Sequence, residues 1–558
     1  MLVSVGNSYG SAPVNTVAPA VTGTATVGST LTTTNGTWTG SPAPTFTYQW
    51  FRSPSTSISG ATSSTYVLVI GDRGFGIFCR VTATNSVAPS GVTADSNTTA
   101  TVTSVPDAPT IGTAASTGAT TATVAFTQPA NNGGSTITSY TATSSPGGIT
   151  GTLNQAGSGT ITVTGLSPST SYTFTVTATN AVGTSAASAA SNSITTDVAR
   201  QLWVSGRNNF GQLGQGDTTD LSSPTQVGSL TNWSVTDGGE RFTLAVKTDG
   251  TLWSWGRGQT GQLGLGNTTD YSSPKQVGAL TGWLKVSAGY GFSLATKTNG
   301  TLWSWGQNSV GQLGQNNLTY LSSPVQVGAL TTWAEIAAAP GGNSSMGVST
   351  SGTLFTWGRN YFGQLGLGNT TDRSSPTQVG ALTAWSKISM GSNMSAAIKT
   401  DGTLWTWGYN GFGKLGLGDA SIYPVNANRS SPTQVGALTN WSEISCNGGS
   451  NMIAVKTDGT LWSWGANSYG ALGLGNTTNY SSPKQVGALT AWSKVAGNNH
   501  FSIALKTDGT LWTWGRNNFG QLGQGNTTNR SSPVQVGALT TWLTISAGYN
   551  WLLVTKST

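Results

Sequence analysis

Most nucleophilic triads and protein metal clusters depend on imidazole as base or ligand, and this 558-residue chain has a single histidine, His500. Alone it builds neither, so it reads as a polar loop residue. Carboxylate pairs do acid and base work without histidine, as in glycoside hydrolysis. Here, however, Asp249, Asp401, Asp458 and Asp508 each precede a glycine in a turn, and Asp217, Asp220, Asp270 and Asp372 sit in a recurring Asn-Thr-Thr-Asp loop. Asp237, Glu240, Glu335 and Glu443 remain, with no pairing visible along the chain. Glycine-rich strings such as Gly211-Gln212-Leu213-Gly214 follow no strand-to-helix pattern and read as turns, not phosphate loops. Cys79 and Cys446 fall in different domains, which argues against a disulfide and against a cysteine metal site. The expectation is a protein with no catalytic residue, no cofactor and no metal.

Recognition chemistry is better supplied. The second half of the chain is a set of seven copies of one unit, and positions that differ between copies are ones the shared scaffold does not dictate. The residue before each Ser-Ser-Pro is such a position: Leu221, Tyr271, Leu321, Arg373, Arg429, Tyr480 and Arg530. Aromatic residues and arginine are over-represented at binding hot spots. A second variable site lies just before Gly-Gln-Leu-Gly and includes Phe210, Tyr361, Phe362, Phe412, Tyr469 and Phe519. The fifth unit carries an insertion, residues 419 to 429, whose Tyr423 and Pro424 form a candidate protruding contact. The candidate recognition surface is therefore Leu221, Tyr271, Leu321, Arg373, Tyr423, Arg429, Tyr480 and Arg530.

What positions these residues is the repeat. Leu-Trp-x-Trp-Gly, sometimes altered, begins at Leu202, Leu252, Leu302, Leu354, Leu404, Leu461 and Leu511, with spacings of 50, 50, 52, 50, 57 and 50. Each unit reads as a Trp-rich strand, a Gly-Gln-Leu-Gly turn, a Ser-Ser-Pro segment, a Leu-Thr-x-Trp segment and a short apolar strand ending in Asp-Gly or its equivalent. Asp249-Gly250 and its counterparts predict a β-hairpin through a two-residue turn. A period near 50 with several short strands and no helical periodicity predicts propeller blades. Trp551–Lys556 reads as the first strand of a hairpin whose second strand is Gln201–Ser205, so pairing the two ends closes the ring and removes exposed strand edges. The recurring Trp233, Trp283, Trp333, Trp385, Trp441, Trp492 and Trp542 are expected as core and blade-packing residues.

Composition narrows the setting. Charged residues make up 7 %, against about 25 % in an average soluble protein, and the first 200 residues hold no Lys and no Glu. The net charge of +7 is spread thinly with no Lys/Arg run, which speaks against a nucleic-acid partner. No stretch of 18 apolar residues occurs, which speaks against insertion in a membrane, and the N-terminus lacks the pattern of a secretory signal.

The segments Trp357-Gly358-Arg359-Asn360-Tyr361-Phe362-Gly363-Gln364-Leu365-Gly366 and Trp514 to Gly523 resemble the core of the regulator of chromosome condensation repeat family. That resemblance implies a seven-bladed β-propeller of four-stranded blades over residues 198–558. Residues 14–104, with Trp50 before Cys79, resemble a bacterial immunoglobulin-like module whose second cysteine is missing, Leu31 lying near its place. Residues 105–197 resemble a fibronectin type III module, with Phe126 as core aromatic and Leu166 to Tyr172 as its tyrosine corner. The expected fold class is thus all-β, two β-sandwiches followed by a propeller, with 1–13 as an N-terminal segment. The arrangement is similar to bacteriophage tail and capsid appendages. It implies a non-enzymatic virion structural protein, a tail fibre or appendage, whose partners are other virion proteins and a host-surface glycan or protein receptor. The alternatives are a bacterial cell-surface or secreted adhesin and, as in the propeller family's best-known members, a guanine-nucleotide exchange factor or chromatin binder.

Overall fold

Short runs in which Thr or Ser alternates with apolar residues fold as strands with one dry and one wet face, and the chain is built almost wholly of them. The computed structural model describes residues 10–420, 427–448 and 451–558, and among these no α-helix occurs. The chain divides into two compact units, Met1–Asp197 and Val198–Thr558.

In the first unit, Ser171–Asn180 alternates exposed or half-buried with buried positions along its length. It pairs with Ile137–Ser145 in a four-stranded sheet, and Thr110–Ser116, Thr121–Thr127 and Gly159–Thr164 form a three-stranded one. Phe126 packs on Tyr140 with ring centroids 4.2 Å apart. The Tyr172 hydroxyl accepts from the Ser167 amide at 2.9 Å, the backbone tie that defines a tyrosine corner. Nearer the N-terminus, Thr45–Arg52 and Ile77–Asn85 pair so that Trp50 faces Cys79. Both are fully buried with Leu31, and burial pushes the Cys79 thiol up to about 11. One boundary moves. Strand Ser11–Val17 runs across the division expected after residue 13 and pairs with Thr37–Ser41.

The second unit contains seven four-stranded antiparallel sheets. The first runs Trp233–Gly238, Phe242–Lys247, Leu252–Gly256, Tyr271–Gln276, and five more follow at the period of the repeat. The seventh takes Trp542–Gly548 and Trp551–Ser557 from the C-terminal end, and Arg200–Gly206 and Leu221–Gln226 from the start of the unit. Arg200 pairs with Ser557 and Gly206 with Trp551, so the ends close the array. Innermost strands touch in cyclic order, and that of the seventh sheet returns to that of the first. This is the propeller expected from the repeat.

The tryptophans of Trp-x-Trp hold the array, with Ser205 in the second place of the first copy and Phe355 in the first place of the fourth. The second Trp of Trp-x-Trp is fully buried and donates its indole N–H to the preceding sheet's loop: Trp255 to Gln212 O at 2.9 Å, Trp305 to Gln262 O at 2.8 Å, Trp407 to Gln364 O at 2.9 Å. The first donates to a threonine whose hydroxyl donates on to the turn aspartate, as in Trp253 to Thr251 to Asp249. The turn itself differs from expectation. Gly250 N–H bonds Lys247 O, and Lys247 N–H bonds Thr251 O, giving a three-residue loop in which only Gly250, at φ 75°, is left-handed. Asp249 Oδ1 accepts from both the amide and the hydroxyl of Thr251, which holds the aspartate in ordinary backbone while glycine makes the reversal.

Candidate recognition face

Strands one and three of each sheet run the same way, so the hairpin after the first strand and the long loop after the third share one end of the propeller. The Asp-Gly turns and the Leu-Thr-x-Trp links share the other.

At the first end the long loop is tied down by side chains common to the repeats. Asn208 accepts from Leu213 N–H at 2.8 Å and donates to Asp217 O at 3.1 Å, while Asp220 accepts from Asn208 N–H at 2.7 Å. Gln212 Oε1 accepts from Phe210 N–H. Gly211 sits at φ 76° with the next sheet's Ser272 Cα 2.3 Å from where a Cβ would lie, so the loop seats on the Ser-Ser-Pro strand of its neighbour only as glycine. These ties commit Asp217, Asp220, Asp270 and Asp372 to backbone amides, Asp217 to that of Thr219.

The residues before Ser-Ser-Pro each open an outermost strand and pair with the glycine that ends the third strand: Leu221 with Gly206, Tyr271 with Gly256, Leu321 with Gly306, Arg373 with Gly358, Arg429 with Gly408, Tyr480 with Gly465 and Arg530 with Gly515. They stand one per sheet around the ring and all are half-buried. Leu221, Tyr271 and Leu321 pack into cores between sheets. Arg373 donates to the Thr371 and Asp372 carbonyls, and Arg429 donates to Ala427 O at 2.7 Å and pairs with Asp419 at 2.5 Å, bracing the base of the insertion. Tyr423 lies outside the described residues.

The second variable set converges where the first does not. Phe210, Tyr469 and Phe519 each lie under a cation of the following sheet: Arg257 is 5.5 Å from the Phe210 ring, Arg516 5.2 Å from Tyr469, and Arg207 4.8 Å from Phe519. Arg241 adds a second guanidinium 5.0 Å from Phe210, and Arg516 one 6.0 Å from Phe519. His500 stands 5.4 Å from the Tyr469 ring, and burial with Arg516 nearby lowers its pKa. Across the ring the same loops carry Tyr361 and Phe412, 68 % and 59 % exposed, and Phe362 packed on Tyr409 at 4.8 Å. One end of the propeller thus has an arginine-rich arc over three consecutive sheet junctions and an aromatic arc opposite.

Among the described residues one carboxylate forms ion pairs within the arginine arc. Glu240, 7 % exposed, pairs with Arg241 at 2.8 Å and Arg257 at 3.6 Å. Burial raises its pKa, opposed by the charges of Arg241, Arg257 and Arg207. Asp237 reaches from the innermost strand into an axial cavity of about 290 Å³. Its carboxylate accepts from Ser546 Oγ at 2.7 Å, the Ala288 and Gly238 amides and Ser287 Oγ, and burial raises its pKa against those bonds. It ties three sheets together at the axis. Among the described residues no cluster of three His, Cys, Asp or Glu is placed to hold a metal.

The arginines were the residues missed in the sequence. The comparison that finds Phe210 and its counterparts, applied to the position after Trp-Gly, gives Arg207, Arg257, Gln307, Arg359, Tyr409, Ala466 and Arg516. Arginine there follows an aromatic residue in the previous unit at three junctions.

Comparison with known proteins agrees with the repeat. Residues 201–246, 249–296 and 299–347 match the regulator of chromosome condensation (RCC1) repeat, 329–558 match the RCC1-like domain, and 107–194 match the fibronectin type III domain. The chain is 34 % identical over 152 residues to the ultraviolet-B receptor UVR8 of Arabidopsis thaliana, covering 26 % of this chain and 33 % of the receptor. It is 33 % identical over 149 residues to the probable E3 ubiquitin-protein ligase HERC3 of Homo sapiens, covering 26 % of this chain and 14 % of the ligase. The match therefore spans a third of the first relative and about a seventh of the second. In fold it is similar to human WBSCR16 (TM-score 0.56, 21 % identity, 64 % of this chain and 99 % of that one) and to Prp20p of Saccharomyces cerevisiae (TM-score 0.57, 19 % identity, 64 % and 92 %). This chain accordingly carries a fibronectin type III domain followed, from residue 201 to 558, by RCC1 repeats and an RCC1-like domain that form a β-propeller.

Proposed function

We propose that the chain is a non-enzymatic recognition protein in which a closed, seven-bladed propeller presents its arginine and aromatic end to a partner. An immunoglobulin-like and a fibronectin type III β-sandwich serve as stalk or anchor. The observation that carries this reading is the contrast within the repeat: Asn, Gln, Gly and Trp ties that recur in most copies fix the loops at one end, while the side chains they hold vary toward arginine and aromatic residues, the types enriched at protein interfaces. Rigid loops of variable chemistry suit binding, since little ordering entropy is lost on association.

The setting proposed is a bacteriophage virion, as a tail fibre or a capsid or tail appendage, with other virion proteins and a host-surface glycan or protein receptor as partners. Its support is compositional: 7 % charged residues, and strands whose wet faces are Thr and Ser. Mass spectrometry and cryo-electron microscopy of purified particles from the source culture test it. The expected result is the chain in the particle, with propeller-shaped density attached. Its consistent absence from particles, together with its presence in a cell-surface or secreted fraction, contradicts the virion and favours an adhesin.

A further inference from the structure

Two places in the arginine arc each bring two guanidiniums to one aromatic ring, and one of them also holds a carboxylate. Around Phe210, Arg241 and Arg257 bring two guanidiniums to one ring, and the carboxylate of Glu240 sits between them, 7 % exposed. Around Phe519, Arg207 and Arg516 bring two guanidiniums to one ring, and among the described residues no carboxylate stands within ion-pair distance of either, the charge of Glu240 reaching Arg207 from beyond that distance. Glu240 stands two residues before the second strand of its sheet, and the residues at that place in the sixth and seventh sheets are Asn499 and Tyr549. Asn499 turns instead to Asn550, its amide donating to the Asn550 side-chain oxygen at 2.6 Å. Among the described residues neither Arg207 nor Arg516 forms an ion pair, and Arg516 Nε is buried without an acceptor.

We infer that Arg207, Phe519 and Arg516 form a binding site for a carboxylate supplied by the partner, equivalent in chemistry to the site Glu240 fills within the chain. The inference deepens the recognition reading and rests on it. Contact with Phe519, 4.8 Å from Arg207 and 6.0 Å from Arg516, holds the two guanidiniums near one ring before any ligand arrives, and a planar guanidinium fork meets a carboxylate with paired N–H donors. The cations here are arginines without a lysine, and the carboxylate already captured at Phe210 shows what such a pair accepts in this molecule. The ligand is an acidic polypeptide, since the carboxylate captured at Phe210 is a glutamate side chain. The aromatic arc across the ring, with Tyr361 and Phe412, offers apolar contact to the remainder of such a chain.

The test is calorimetric titration of the full chain at low salt with decaglutamate, with trigalacturonate and, as a phosphate contrast, with oligothymidylate. Saturable binding of decaglutamate in preference to both trigalacturonate and oligothymidylate is expected. Arg207→Gln and Arg516→Gln are each expected to weaken it by about tenfold or more, the scale of losing a charge-assisted hydrogen bond. Glu240→Ala, which empties the filled site, is expected to raise the stoichiometry from one probe to two. The stoichiometry is an independent readout should either arginine variant fold poorly. Absence of saturable decaglutamate binding, tighter binding of trigalacturonate or oligothymidylate, or affinity unchanged by both arginine variants overturns the inference. If those results came with the chain still attached to particles or cells, the carboxylate site would fall and the recognition reading would stand.

Discussion

Replacing Trp407 by alanine is expected to destabilise the propeller by about 4–5 kcal/mol, the upper part of the range for large aromatic truncation in a packed core. Trp407 is fully buried between the third and fourth sheets, in a cluster with Met346, Val348 and Leu354. Its indole lies against Gly366, where a Cβ would stand 2.8 Å from Nε1, and against the Trp385 ring at 6.3 Å. Rigid sheets on both sides hinder collapse into the space the ring leaves. The Gln364 carbonyl keeps a bond from Ser395 Oγ at 2.7 Å, so the cost is mainly the cavity and not an orphaned acceptor. Trp407→Phe retains part of the volume and is expected to cost about half as much. Denaturant unfolding followed by tryptophan fluorescence reads this directly, because 20 of the 22 tryptophans lie after residue 200. A loss below about 2 kcal/mol would show that the sheets close over the void, contrary to a rigid blade junction.

Substituting Lys414 by glutamine is expected to stabilise the protein at pH 7 by about 2–3 kcal/mol, an unusual direction for a change at a buried site. Lys414 takes the place that glutamine holds in most copies of Gly-Gln-Leu-Gly; it is 4 % exposed, and burial lowers its pKa from 10.5 to about 8. The folded chain therefore gives up this proton more readily than the unfolded chain. Below about pH 8 both forms carry it and the full cost of burying the charge is present. Between about 8 and 10.5 the unfolded chain binds the proton that the folded chain has lost, and stability rises with pH. The advantage of the glutamine variant should accordingly be largest below pH 8 and fade toward pH 10.5. Stacking of the ammonium on Tyr409 at 4.6 Å is lost in the exchange and trims the gain. Glutamine also supplies an acceptor for the amide of Phe412, which alone of its counterparts stands at positive φ, 61°, and the loop is expected to return to the form seen at Phe210. Equal pH slopes for the two proteins would contradict this account of Lys414.

How much of this was legible in the chain follows from what each feature depends on. The strands, the sheet order and the closing pair Arg200–Gly206 with Trp551–Ser557 depend on local alternation and on the period, which seven copies state repeatedly. The burial of Trp50 and Phe126 and the bond to Tyr172 depend on patterns within one module. The turn after Lys247 was read one residue short because Asp-Gly does not by itself distinguish a two-residue turn from a three-residue turn closed by a side chain. The strand Ser11–Val17 was divided because its partner, Thr37–Ser41, lies beyond the boundary drawn. The arginine arc was missed for a different reason. Arg207 gains its meaning from Phe519, a residue at the other end of the unit brought to it only by ring closure. Conversely, the residues before Ser-Ser-Pro vary between copies and yet stand apart, one per sheet, half-buried in roles that differ from copy to copy. Variation marked freedom from the scaffold in both sets. Both sets lie at the long-loop end of the sheets, and only the fold shows which of them brings rings and cations together.

The central claim is that this arginine and aromatic end is the surface that recognises a partner. Binding of labelled full chain to intact cells of the source culture, measured against concentration, tests it when the unaltered chain is set beside the variant Arg207→Gln/Arg241→Gln/Arg257→Gln/Arg516→Gln. The prediction is saturable, salt-sensitive binding by the unaltered chain and its loss in the variant at unchanged secondary structure. Equal binding by both would place recognition elsewhere and contradict the account.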